Sequence, residues 1–101
     1  MNAILPDIGF LTSGDVGDGE RAAAERAVRE ALHGTDAEVD AVRVTLSVVP
    51  GGDLPQPALA QAVVEVEGRR LRAQAAAPDL PEAIARMRER LTVRTAYLRA
   101  S

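Results

Sequence analysis

Residues 62–77 read AVVEVEGRRLRAQAAA, two runs in which apolar and polar residues alternate on either side of Gly68 and Arg69. Taking Gly68-Arg69 as a two-residue turn, with Gly first as a type II′ turn prefers, sets Glu67 opposite Arg70 and Glu65 opposite Arg72. Val66 then faces Leu71 and Val64 faces Ala73. Charges pair on one side and apolar residues on the other, so a single register satisfies both faces and predicts a β-hairpin. Its apolar face needs a cover, and the flanking sequence supplies one.

Downstream, residues 80 to about 98 place Leu80, Ile84, Met87, Leu91 and Leu98 in one helical stripe. Asp79 with Glu82 three residues on resembles a capping box. Pro81 is tolerated in the first turn, where its missing N–H has no intrahelical partner to lose. Upstream, Val42, Val44, Leu46 and Val48 alternate with Arg43, Thr45 and Ser47, which is the clearest strand in the chain. Residues 18–32 read as a helix through Ala24, Ala27, Val28, Ala31 and Leu32, with Asp18 as N-cap and Gly34 as the left-handed residue beyond its end. Asp7 to Thr12 is a short strand candidate with Ile8, Phe10 and Thr12 on one side. The order β-α-β-β-β-α predicts an α+β two-layer sandwich, a four-stranded sheet with both helices on its apolar face.

The chain has 101 residues, 47% hydrophobic and 27% charged, which fits one globular domain spanning 1–101. Alanine supplies 19 of the 47 apolar residues and only Phe10 and Tyr97 are aromatic, so the core is built mainly from Val, Leu and Ala. The absence of Cys excludes disulfides, thiol nucleophiles and thiolate metal sites. No apolar run nears the roughly 20 residues that span a bilayer, and MNAILPDIGF lacks the basic flank and cleavage pattern of a signal peptide. These features predict a soluble, cytoplasmic protein with no membrane contact.

Catalysis finds little support. The one His, His33, ends the first helix, where the helix dipole favours positive charge, and no nucleophile or orienting acid stands at a recognisable spacing from it. Ser13, Ser47 and Ser101 sit in no nucleophile motif. The stretch GDVGDGE (14–20) lacks calcium-loop spacing, and Asp15 and Asp18 would repel a phosphate. A turn leading into a helix explains it. No metal, cofactor or small-molecule substrate is expected.

The net charge of −3 argues against an electrostatic nucleic-acid binder until it is divided. Residues 1–55 carry ten acids and four Arg, a net of −6, whereas residues 56–101 carry five acids and eight Arg, a net of +3. In the last helix Arg86, Arg90 and Arg94 fall in one sector with Tyr97 among them. Three like charges at this spacing repel. Acids nearby, exposure to water or an anionic partner would each offset that. The row fits a solvated helix flank with Tyr97 covering the core edge, and it also fits RNA, with guanidinium–phosphate contacts beside a stacking surface. Arg70 and Arg72, paired in the hairpin register, read as a solvated sheet face, and Arg69 stays free at the turn tip.

The stretches VRVTLSVVP (42–50) and AVVEVEGRRLRAQAAAPDLPEAIARMRERL (62–91) resemble the ribosome hibernation-promoting factors, also called ribosome-associated translation inhibitors. Asp79 matches that family's helix-capping Asp, and Arg90-Leu91 its basic-Leu pair. DIGFLTSGDVGDGERAAAERAVREAL (7–32) is similar to its opening strand and first helix. The resemblance implies the β-α-β-β-β-α fold. It further implies binding to the small ribosomal subunit and its rRNA, so that translation is inhibited and idle ribosomes hibernate under stress, with no reaction catalysed. Carried over by position, Arg90 is a contact, with Arg86 and Arg94 beside it for phosphates and Tyr97 for stacking. Arg21, Arg29 and Arg69 are secondary contacts. This chain would be a short, divergent bacterial member. Its first helix offers Ala22, Ala23, Ala24 and Ala27 where the family usually has an aromatic and a Lys, and Arg21, Arg26 and Arg29 there are balanced by Glu20, Glu25 and Glu30. The 101 residues show no counterpart of the C-terminal extension with which long members pair ribosomes. The alternative is a protein-interaction module of the same fold that has lost ribosome binding, its acidic half meeting a basic partner.

Overall fold

The computed structural model describes residues 7–33, 38–50 and 55–100, with side chains through Tyr97. The elements run β1 (Ile8–Ser13), α1 (Asp18–Leu32), β2 (Val39–Val48), β3 (Ala58–Val66), β4 (Arg69–Ala77) and α2 (Leu80–Ala100). This is the expected β-α-β-β-β-α order. Gly34 beyond α1 and the Leu98 side chain lie outside the described residues.

The sheet order is β1-β2-β3-β4, with β1 parallel to β2 and the other neighbours antiparallel. Edges are therefore β1 and β4. Period-two patterning puts Val42, Val44 and Leu46 of β2, the alternate Ala and Val residues of β3, and Ala73, Ala75 and Ala77 of β4 on one buried face. Ile8 and Phe10 of β1 sit half-buried opposite Val42 and Val44 on that same side, while Thr12 is exposed. Against this face pack Ala24, Ala27, Val28, Ala31 and Leu32 of α1, and Leu80, Ala83, Ile84, Met87 and Leu91 of α2, in one continuous core. The facing pairs Ala58–Ala77, Ala60–Ala75 and Ala62–Ala73 form a floor of small side chains under α2. Large residues on the helix meet small ones on the sheet, the arrangement that lets the two layers interdigitate without voids.

The hairpin forms, but in a different register. Val66 pairs with Arg69, Glu65 with Arg70, Val64 with Leu71 and Val63 with Arg72, so the turn residues are Glu67 and Gly68. Both have positive φ, 50° and 78°, the type I′ geometry that matches strand twist. Two constraints explain the shift. With Asp79 capping α2, the expected register would end at an Ala60–Ala77 pair and leave Ala58 and Leu59 without β4 partners, whereas the observed ladder pairs all nine residues of each strand down to Ala58–Ala77. The Glu67 N–H also donates to the Glu38 carbonyl (3.2 Å), tying the turn to the start of β2. Because each partner moves by two residues, every side chain keeps its face. What changes is who stands opposite whom.

Helix starts follow local chemistry. Asp79 caps α2 through its Oδ1, which accepts the Glu82 N–H (2.9 Å). For α1 the N-cap is Gly17 rather than Asp18. Glu20 reaches back with Oε1 to accept the Gly17 N–H (2.9 Å), and Asp18, now the first helical residue, pairs with Arg21. Gly14, at φ 83°, is required where it stands, because a Cβ there would overlap the Val48 carbonyl oxygen. At the other end of α1 the buried Thr95 hydroxyl of α2 is within 3.4 Å of the Ala31 carbonyl and 2.9 Å of the Thr92 carbonyl. It thereby serves one of the carbonyls a helix end leaves without an intrahelical partner. Among the described residues no helix is long and apolar enough to cross a membrane.

Candidate nucleic-acid interface

The arginine row of α2 runs beside β4, and that position decides what each residue does. As an edge strand, β4 directs alternate carbonyls away from the sheet, where no strand satisfies them. Arg90 donates from one guanidinium nitrogen to the Gln74 carbonyl (2.6 Å), and Arg86 donates to the Ala76 carbonyl (2.9 Å). Arg86 also pairs with Glu82 one turn earlier (3.1 Å). These contacts guard the open edge and offset the repulsion expected between Arg86 and Arg90. Arg94 is exposed and has no carboxylate within 4 Å among the described residues.

Between β4 and the C-terminal half of α2 lies an open groove of about 860 Å³. Arg70 and Arg72 rise from the strand side, Arg90 and Arg94 from the helix, and Val93 and Tyr97 complete the helix wall. Glu89 is the one acid in the lining. Val93 is 54% exposed and Tyr97 72% exposed, so neither serves the core, and Tyr97 does not cover the core edge. Each guanidinium carries five donors, so the single bond from Arg90 to Gln74 fixes its position and leaves donors for a ligand.

The register change leaves Arg72, which lines this groove, without its expected acid. The expected hairpin paired Arg72 with Glu65, but Glu65 binds Arg70 instead (3.3 Å) and Val63 stands opposite Arg72. Arg72 is exposed, with no carboxylate within 4 Å among the described residues. Sequence reasoning set aside both Arg70 and Arg72 as a paired sheet face. The signal that could have recovered Arg72 is the Asp79 cap of α2, which limits where the ladder can end.

Three sequence-selected residues lie elsewhere. Arg21 pairs with Asp18 and Arg29 with Glu25 (3.2 Å), both on α1 and each with an acid one turn before it. Arg69 is exposed at the hairpin end and does not line the groove. The structure thus brings together Arg90, Arg94 and Tyr97, adds Arg70 and Arg72, assigns Arg86 to the strand edge, and leaves Arg21, Arg29 and Arg69 apart. Arg88 leaves the row too, bridging to Glu30 of α1 (2.9 Å). The remaining candidates resolve as turn and cap chemistry: residues 14–17 lead into α1, and His33 sits exposed at its end with its N–H on the Glu30 carbonyl (3.3 Å).

No protein-family model matches the sequence, and no curated protein matches it either. Solved structures do. A ribosomal subunit interface protein from Coxiella burnetii superposes with a TM-score of 0.76 at 15% identity, over 97% of this chain and 100% of that one. The N-terminal domain of Protein Y from Thermus thermophilus superposes with a TM-score of 0.69 at 22% identity, over 97% of this chain and 99% of that one. Across nearly its whole length, this chain has the fold of a ribosomal subunit interface protein and of the Protein Y N-terminal domain, the β-α-β-β-β-α sandwich that the sequence resemblance implied.

Proposed function

We propose that this protein is a cytoplasmic ribosome-associated factor that binds the RNA of the small subunit through the α2–β4 groove, inhibits translation by occupancy under stress, and catalyses no reaction. The observation that carries this reading is the groove itself, where four arginines from two elements converge beside an exposed aromatic ring with one acid among them. Guanidinium groups recognise phosphates by paired hydrogen bonds, and an exposed ring offers a stacking surface. The reading is supported by a fold shared with a protein named for the ribosomal subunit interface. Arg72, Arg90 and Arg94 supply the phosphate contacts, Arg70 adds to them while held by Glu65, and Arg86 positions the strand edge behind them. Arg21, Arg29 and Arg69 have at most a peripheral part.

Sedimentation of the purified protein with isolated small subunits at low and moderate salt tests the proposal. It should travel with the subunit at low salt and be released as salt rises, since few phosphate contacts sustain the complex. Absence from the subunit fraction at low salt overturns the reading. The net −6 of residues 1–55 favours a second reading, a module that binds a basic protein. Capture of such a partner that survives nuclease and carries no rRNA would put that reading first.

A further inference from the structure

We infer that the α2–β4 groove takes a single-stranded, unstacked stretch of RNA in preference to the outer surface of a duplex, an inference that rests on the RNA-binding reading above. The groove walls differ in chemistry. One carries Arg70 and Arg72, two residues apart on the same side of β4 and so about 7 Å apart along the strand. The other carries Arg90 and Arg94 together with Val93 and Tyr97, the latter two one helical turn apart and both largely in water. A duplex presents phosphates and ribose edges to a protein surface and keeps its base faces stacked inside. It would meet the arginines of both walls and leave Val93 and the Tyr97 ring uncovered. A splayed-out nucleotide meets both walls, with its phosphates on Arg72 and Arg94 and its base face on the Tyr97 ring beside Val93.

Arg90 strengthens the case. Its bond to the Gln74 carbonyl holds the guanidinium against the strand, so the groove is shaped before any ligand arrives. Sequence-independent stacking on a ring combined with backbone contacts to arginine is the chemistry by which single strands are held. Val93 and Tyr97 are two of the four large apolar side chains that the described structure leaves exposed, and both line this one groove.

The chain contains one Tyr and no Trp, so its intrinsic ultraviolet emission reports Tyr97 alone. The full chain is titrated with an unstructured oligoribonucleotide, with a duplex of the same strand length, and with inorganic tripolyphosphate. The single strand should bind several-fold more tightly than the duplex and quench the tyrosine emission, whereas tripolyphosphate should bind without quenching. With labelled single strand, Tyr97→Ala should weaken binding by roughly five- to a hundredfold and Tyr97→Phe should retain most of it, since the ring and not the hydroxyl carries the stacking. Tyr97 is exposed, and an unchanged circular dichroism spectrum confirms that the Ala variant folds. Duplex binding as tight as single-strand binding, or single-strand binding with unaltered emission, overturns the inference. Co-sedimentation with small subunits separates the two claims. A protein that sediments with the subunit but shows no single-strand preference keeps the ribosome reading and loses this one. A protein that binds the single strand with quenching but never sediments with the subunit does the reverse.

Discussion

The two helices use the same residue for opposite ends. On α1, Arg21 and Arg29 each find an acid one turn earlier, so their charge is spent within the helix. On α2, Arg86 has such an acid too, Glu82, but with Arg90 it also reaches across to the carbonyls of an edge strand, and Arg94 has no carboxylate within 4 Å among the described residues. Spacing along the helix does not separate the two cases. What separates them is the element alongside and, for Arg90 and Arg94, an arginine in place of an acid one turn before. An arginine row beside an unpaired strand edge becomes first a guard for that edge and then, where the row outruns the contacts, a charged wall.

The largest expected difference between the two helices is in binding to the small subunit. Replacing Arg72, Arg90 and Arg94 together by Gln should lower small-subunit affinity by about tenfold or more at moderate salt, whereas replacing Arg21, Arg26 and Arg29 should change it less than about threefold, as measured by sedimentation binding curves. The next effect is on stability. Ala75→Leu forces a large side chain into the floor beneath α2 and should cost about 1–3 kcal/mol in denaturant unfolding. Ala22→Leu, on the exposed face of α1, should stay within roughly 0.5 kcal/mol. Arg86→Met leaves the Ala76 carbonyl without its partner and should cost about 1 kcal/mol, while Arg29→Met, losing an exposed pair, should cost about 0.3–0.5 kcal/mol. The smallest change is a gain. Glu67→Gly relieves a left-handed backbone but adds unfolded-state freedom, and the difference should raise stability by only about 0.2–0.3 kcal/mol.

The fold was largely legible because alternation and helical periodicity answer to burial, and burial here is one-sided. The β2 and hairpin patterns and the Leu80–Leu91 stripe map directly onto the core. Two features were not legible. A shift of two residues keeps every side chain on its face, so patterning alone cannot distinguish Glu65–Arg70 from Glu65–Arg72. The difference lies with the Asp79 cap of α2 and with the bond between Glu67 and Glu38, one a limit on the ladder and the other a contact between segments distant in sequence. The guarding role of Arg86 and Arg90 was hidden for a similar reason, since it follows from β4 being an edge, and strand order is not written in any one segment. The sequence thus points to a flank of the last helix with secondary contacts at Arg21, Arg29 and Arg69, whereas the structure sets Arg90, Arg94 and Tyr97 in a groove with Arg70 and Arg72 of β4.

The most direct test of the groove as the binding surface is the salt dependence of small-subunit binding for the wild-type chain and for the Arg72, Arg90, Arg94 triple Gln variant. The slope of log affinity against log salt should become shallower by about two to three in the groove variant and stay unchanged in the α1 triple variant. Equal slopes for the wild type and the groove variant would contradict it.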